Sequence, residues 1–318
     1  MSGLRVAIAT CAPFPPVADD EGPLRAAFAA RGVAVDDVPW DADVAWGAFD
    51  ACLIRTTWDY QERKDAFVAW AERAAEETLL LHGPAVVRWN TDKRYLRELE
   101  AAGAPLTPTI WLDAGEGADV AARVREAGWG RAFLKPVVGA NARETLRFDA
   151  DAAGLAAAQA HADRLLLDAG EGLMLQPYLE SVERDGERSL ILVDGAFAHG
   201  VRKIPVPGDY RVQDDWGATD VPWLPTAEEQ ALAARIVALA GARLGEALVY
   251  ARVDLLTGPG GERWLNELEI VEPSLFFRHG PATAERLADA VLARIRSATR
   301  TTPSARVPPR GSRGSRRA

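Results

Sequence analysis

Asp254, Glu267 and Glu269 are the residues whose types and spacing speak most directly of chemistry. Apolar residues alternate with these acids in the run 250–277, and the T-G-P-G-G stretch at 257–261 is a hairpin turn signal. Side chains two apart on a strand share a face, so Glu267 and Glu269 project together and a paired strand can bring Asp254 beside them. Three carboxylates on one face repel each other unless a cation sits between them, and oxygen-only donors suit a hard ion such as Mg2+. Such an ion usually holds substrate phosphates. A lone E-x-E reads equally as the polar face of an edge hairpin, so the weight falls on what lies upstream.

The upstream elements alternate between strand and helix. Residues 4–10, 33–38 and 51–55 read as strands, and 24–31 and 65–78 as helices, which implies a parallel sheet covered by helices. Ligands bind such sheets beyond the carboxyl ends of the strands. That places Arg55, Thr56, Trp58 and Asp59 as candidate substrate residues, Arg55 either taking a carboxylate or pairing with a structural acid such as Asp59. No G-x-G-x-x-G follows the first strand, which disfavours a dinucleotide-binding enzyme. Asn90 or Thr91 is expected to cap a helix running over 93–102. The strand 131–136 ends in Lys135 and leads into a small-residue loop at 137–145, which resembles a phosphate-gripping element. Strands at 173–179, 187–193 and 196–203 follow, the last two joined by the two-residue turn Asp194-Gly195. The loop 204–224, with Asp209, Arg211, Asp214 and Asp215 and with Arg202 and Lys203 at its base, suits a lid over a charged ligand, or its charges neutralise one another. Helices at 227–242 and 282–295 complete the α/β (α+β) chain.

The net charge is −9 over 318 residues, yet the last nineteen residues carry six arginines and no acid, which leaves −15 for the rest. An acidic body argues against nucleic acid as a partner, and the Pro-, Gly-, Ser- and Arg-rich tail is expected to be disordered. No apolar run reaches the length of a membrane span and residues 1–10 lack a leader pattern, so no membrane partner and a cytoplasmic protein are expected. Cys11 and Cys52 are too few for a disulfide framework and read as structural thiols rather than nucleophiles. His82, His161, His199 and His279 have no metal-ligand spacing, and His199 either contacts ligand or is structural.

Taken in order, Lys93, Lys135, Gln176-Pro177-Tyr178-Leu179, Arg202, Arg211 and the D…E-x-E acids resemble the ATP-grasp superfamily. The nearest likeness is to glutathione synthetase-like ligases and to the actinobacterial group that contains the cyclo-ligase of D-cycloserine biosynthesis. The strings RTTWDY, RWNTDKRYL, GERSL, YARVD and ELEIVEPSLF carry it across residues 4–298. The resemblance implies an ATP-grasp fold with an N-terminal parallel-sheet domain over 1–88, a central subdomain over 89–170, a metal-bearing subdomain over 171–298 and the tail 299–318. It implies that Lys93 and Lys135 hold ATP phosphates and that the backbone of Gln176, Pro177, Tyr178 and Leu179 binds adenine. Asp254, Glu267 and Glu269 would hold two Mg2+ ions, with Mn2+ as the substitute, and Arg202 and Arg211 would stabilise an acyl phosphate or tetrahedral intermediate. Glutathione synthetases carry E-x-N where this chain has Glu267-Leu-Glu269, which argues against glutathione as product.

The function so implied is an ATP-dependent carboxylate–amine ligase that activates a small amino-acid-like substrate as an acyl phosphate, forms a C–N bond and releases ADP and phosphate. Identical machinery serves an intramolecular cyclo-ligase of the O-ureido-D-serine to D-cycloserine type. A nucleotide-binding sensor without turnover is a third reading, opposed by the full set of acids and lysines. The resemblance also implies pairing of copies through the first domain, while the residues leave the oligomeric state open.

Overall fold

A computed structural model describes residues 3–12, 18–212 and 216–301, with side chains omitted for 18, 19 and 301. The chain begins with β1 (Arg5–Thr10), α1 (Ala18–Ala30), β2 (Ala34–Pro39), β3 (Ala51–Thr56), α2 (Lys64–Glu77) and β4 (Leu79–Leu81). These strands form a parallel sheet in the order β2-β1-β3-β4. Both faces of β1 and β3 are buried, as their continuous apolar runs require. α1 starts earlier than expected because its acidic, Pro23-containing first turns carry no apolar period.

Two short helices follow, α3 (Pro84–Asn90) and α4 (Tyr95–Ala101), where one helix over 93–102 was expected. Asn90 and Thr91 do not cap it. Thr91 closes α3, its hydroxyl donating to the Val87 carbonyl at 2.8 Å, and Asp92 takes the turn instead by accepting the Arg94 N–H at 3.1 Å.

The central layer comprises β5 (Ile110–Leu112), α5 (Val120–Ala127), β6 (Arg131–Pro136), β7 (Leu146–Asp149), α6 (Ala152–Asp163) and β8 (Leu173–Pro177). Its antiparallel sheet runs β5-β8-β6-β7, so its last strand lies beyond the 170/171 boundary expected from the sequence. The third layer holds α7 (Ser181–Asp185), β9 (Glu187–Val193), β10 (Ala196–Ile204), β11 (Thr219–Trp223), α8 (Ala227–Leu244), β12 (Tyr250–Thr257) and β13 (Arg263–Glu269), closed by α9 (Pro281–Thr301). Its sheet is antiparallel in the order β11-β10-β9-β12-β13. Asp194 and Gly195 at the β9–β10 turn both have positive φ, the two left-handed positions a tight hairpin needs.

Period-two alternation splits this third sheet between two cores. Leu190, Leu192, Ala251 and Val253 pack with α4 and α8, while Ile191, Val193, Val201 and Tyr250 pack with α9 and the first sheet. No helix among the described residues is long and apolar enough to cross a membrane. The expected lid acids Asp214 and Asp215, and the tail beyond 301, lie outside the described residues.

Candidate active site

The face of the third sheet that packs on the first changes character along its strands. On β9 it carries Val193 and Ile191, then Ser189 and Glu187. On β12 it carries Tyr250, then Arg252 and Asp254, and on β10 Val201, then Lys203. The antiparallel register of β12 and β13 adds Glu267 opposite Asp254 and Glu269 opposite Arg252. One half of the face is therefore core, and the other is the charged wall of a cavity of about 260 Å³.

Buried charges must be paired, and here they are. Asp254 accepts from Ser189 Oγ at 2.6 Å, Arg252 Nε at 3.0 Å, Arg252 Nη2 at 2.9 Å and Lys203 Nζ at 3.3 Å. Arg252 also pairs with Glu269, and Lys203 with Glu187. Burial pushes the Asp254 carboxyl up, but the Arg252 and Lys203 charges outweigh it and hold the group at about 2. For Glu269 burial wins over Arg252, reinforced by the neighbouring Asp254 and Glu267 charges, and the carboxyl is pushed up to about 8. Glu272 is pushed up to about 6, burial outweighing the attraction of Lys93.

The expected triad of acids around a central cation is thus modified. The cation between Asp254 and Glu269 is the Arg252 guanidinium, and among the described residues no three acids or histidines close on one point. Like-charge repulsion at this wall is relieved by the chain's own arginine. The donor set nevertheless fits a hard divalent ion, because Asp254, Glu267 and Glu269 offer oxygen only and the strand register sets Glu267 opposite Asp254 with Glu269 on the same face.

Lys93 sits in the turn between α3 and α4, its ammonium donating to the Gly139 carbonyl at 2.8 Å and lying 3.5 Å from Glu267. Lys135, at the end of β6, reaches Asn266 Oδ1 at 3.5 Å, and burial holds its pKa down. The loop 137–145 lies between them, with Asn141 and Ala142 at positive φ and the Ala140 N–H donating to Gln61 Oε1 at 2.5 Å. Gln176, Pro177 and Leu179 line the cavity. Tyr178 turns away: its N–H donates to the Arg131 carbonyl at 2.9 Å and its ring packs edge-on to Phe133.

Arg211 lines the cavity, clamped to Asp209 through Nη2 at 2.6 Å and stacked 3.7 Å over Trp216. Arg202 does not line it. Alternation along β10 sends Val201 and Lys203 to the core and cavity, so Arg202 lies on the opposite face, beside Arg188 in the register. Arg252 is the cationic residue that sequence reasoning missed, and Lys203 was placed only at the base of the lid; the signals were strand phase for Lys203 and the i−2 position to Asp254 for Arg252.

Of the candidate substrate residues, Trp58 alone lines the cavity. Arg55 is fully buried and pairs with a structural acid, which is Glu21 (Nη2–Oε1 2.5 Å) rather than Asp59. Thr56 bonds Thr10 at 2.7 Å, and Asp59 accepts from Trp40 at 2.8 Å and Arg63 at 2.5 Å. His199 bonds Thr283 at 2.7 Å outside the cavity. Cys11 and Cys52 are buried, and burial pushes both thiols up.

Comparison with known proteins follows the same architecture. The family model for the N-terminal domain of D-cycloserine synthetase DcsG matches residues 6–82. The sequence is 34% identical over 306 residues to the cycloserine biosynthesis protein DcsG of Streptomyces lavendulae, covering 92% of this chain and 99% of that one. The fold matches the crystal structure of D-cycloserine synthetase DcsG with a TM-score of 0.82 at 31% identity, over 92% of this chain and 99% of that chain. A RimK-domain ATP-grasp protein of Sphaerobacter thermophilus shares the fold with a TM-score of 0.62 at 21% identity, over 91% and 99% of the two chains.

Proposed function

The chain belongs to the DcsG family of ATP-grasp ligases, and from that premise we propose that it is a cyclo-ligase. It activates the carboxyl group of a small amino-acid derivative with ATP and closes a ring through a new C–N bond. The observation that supports this reading is the cavity beneath the charged half of the third sheet's face, where Lys93 and Lys135 join Lys203 and Arg252 around Asp254, Glu267 and Glu269. Activation moves the γ-phosphoryl group to a carboxylate oxygen and releases ADP. A nitrogen of the same molecule then attacks the acyl carbon, the bond to phosphate breaks, and the nitrogen loses a proton. Acting on O-ureido-D-serine, this closes the cycloserine ring, and water removes the carbamoyl group as carbon dioxide and ammonia.

Phosphoryl transfer asks a protein chiefly for positioning and charge. Lys93 and Lys135 are assigned to the phosphates and the backbone at 176–179 to adenine. Asp254, Glu267 and Glu269 would hold divalent metal, two Mg2+ ions in this reading, which supply charge neutralisation at the phosphates. Arg252 takes the role first assigned to Arg202, facing the negative charge that develops on the acyl oxygen, and Arg211 approaches from the loop at 204–218.

Phosphorus NMR of the protein with MgATP, O-ureido-D-serine, a panel of amino acids and hydroxylamine as acyl trap tests the reading. Substrate-dependent ADP and phosphate are expected, with a ring as product. AMP and pyrophosphate would overturn acyl-phosphate chemistry, and a coupled linear product would overturn the cyclisation.

A further inference from the structure

The segment after β13 has no regular secondary structure, yet five successive carbonyls are each bonded by a buried or cavity-wall side chain. Ile270 O takes His82 Nδ1, Val271 O the Tyr250 hydroxyl at 2.8 Å, Glu272 O the Trp58 indole at 3.0 Å, Pro273 O Arg55 Nη2 at 3.0 Å, and Ser274 O Arg252 Nη1 at 3.2 Å. Three of the five donors come from the first layer. Irregular backbone gains nothing in regularity from such bonds, but it is fixed in position, and fixed elements hold recognition groups accurately. The side chains this segment presents to the cavity are Glu272 and Ser274.

Ser274 Oγ already donates to Asp20 at 3.1 Å. Glu272 is different. Asp254 and Glu269 are engaged by Arg252, Glu187 by Lys203, and Glu267 by Lys93. The Glu272 carboxyl lines the cavity with the neighbouring Tyr60 and, among the described residues, enters no ion pair. It lines the cavity as Trp58 does, while the other acids that sequence and structure bring to this wall, Glu187, Asp254, Glu267 and Glu269, each face a cation of the chain.

We propose that Glu272 binds the α-ammonium group of the substrate, and that the carbonyl clamp on residues 270–274 exists to aim it. This rests on the ligase reading and deepens it. A zwitterionic amino acid is then oriented from both ends: its carboxylate is repelled by Glu272 and drawn to Arg252, where activation occurs, and its ammonium pairs with the one cavity-lining acid that has no ion pair among the described residues. The substrate class is an α-amino acid rather than the corresponding des-amino or hydroxy acid.

The test is calorimetric binding of O-ureido-D-serine and of its des-amino analogue, 3-(ureidooxy)propanoate, to the full chain loaded with Mg2+ and a non-hydrolysable ATP analogue. The wild type should prefer the amino acid by on the order of 10²-fold or more, because the site would otherwise keep a buried polar group unpaired. Glu272→Gln should bind both acids alike and the ATP analogue unchanged. Tyr60→Phe, which leaves the carboxylate in place and removes only the hydroxyl beside it, should keep the preference for the amino acid. Wild-type binding of neither acid, or of both equally, overturns the proposal, as does a Glu272→Gln protein that retains the preference. Formation of AMP in the NMR experiment would sink the ligase chemistry while leaving this binding comparison standing.

Discussion

Replacing Glu267 by Gln keeps the size of the side chain and removes the negative charge that faces Lys93 at 3.5 Å. Lys93 keeps its bond to the Gly139 carbonyl when this charge is gone, so turnover should suffer far more than folding. ADP formation is expected to fall by on the order of 10²–10³-fold, the equivalent of several kcal/mol of transition-state stabilisation. The unfolding free energy should change by no more than about 1 kcal/mol, since the side chain is partly exposed. Retained ADP formation would refute the assignment of Glu267 to the metal. The acids were legible in the sequence because strand period and a glycine-rich turn fix which side chains share a face. The basic residues were harder to place. Arg202 and Lys203 are adjacent and alike in charge, and a choice by residue type alone misses that one position along a strand reverses the face. Arg55 misled for a related reason: a buried arginine at a strand end fits either an anion site or a structural pair, and only the position of Glu21 in α1 decides.

At the scale of elements, His82 shows how a single buried ring holds two of them together. Its Nδ1–H donates to the Ile270 carbonyl and its Nε2 accepts the Val249 N–H at 2.8 Å, so the ring must be neutral. Burial, helped by the Arg294 and Arg55 charges, lowers its pKa from 6.5 to about 4. The unfolded chain therefore binds a proton that the folded one refuses between these values. Stability from this group is complete above about pH 6.5 and is lost as pH falls towards 4, with a slope of up to about 1.4 kcal/mol per pH unit. His82→Asn, chosen because Asn tolerates the positive φ at this position, should be less stable at pH 7.5 and show a shallower acid limb in urea titrations. An unchanged limb would mean that the ring does not carry the proton balance. Long, periodic elements such as α2, β9, β10, α8 and the β12–β13 hairpin could be read from sequence. The short ones could not. β4 and β5 have three residues each, too few for a period, although α5 and α6 do carry Asp119 and Asp151 as N-caps and α5 ends in a left-handed Gly128.

The whole molecule is held by unequal cores. Residues of the first sheet, the third sheet and α9 share one apolar cluster, with Leu24 and Phe28 of α1, Ile191 and Val193 of β9 and Leu287 and Val291 of α9 all fully or almost fully buried in it. Neither sheet can open without exposing that surface. The central layer has its own cluster of buried residues between 112 and 175, and it meets the rest through smaller apolar contacts, Val137 and Met174 in the core of α4 and α8 and Phe133 beside Val182 and Val212, and through polar links such as Lys93 to Gly139 and Lys135 to Asn266. That asymmetry was invisible to sequence reading, which can assign residues to a core but not say which cores are common. It has a dynamic consequence, because a unit with its own core can open at less cost than the global unfolding energy. Native-state hydrogen exchange should show β6 and β8 exchanging through a subglobal opening, while β9 and β12 exchange only with global unfolding. A non-hydrolysable ATP analogue with Mg2+ should slow exchange at residues 131–145 and 173–179, since ligand binding only to the closed form stabilises it by mass action. Should β6 and β8 instead exchange together with β9 and β12 across a denaturant series, the two cores would be energetically one and nucleotide entry would need some other movement than opening of the central layer.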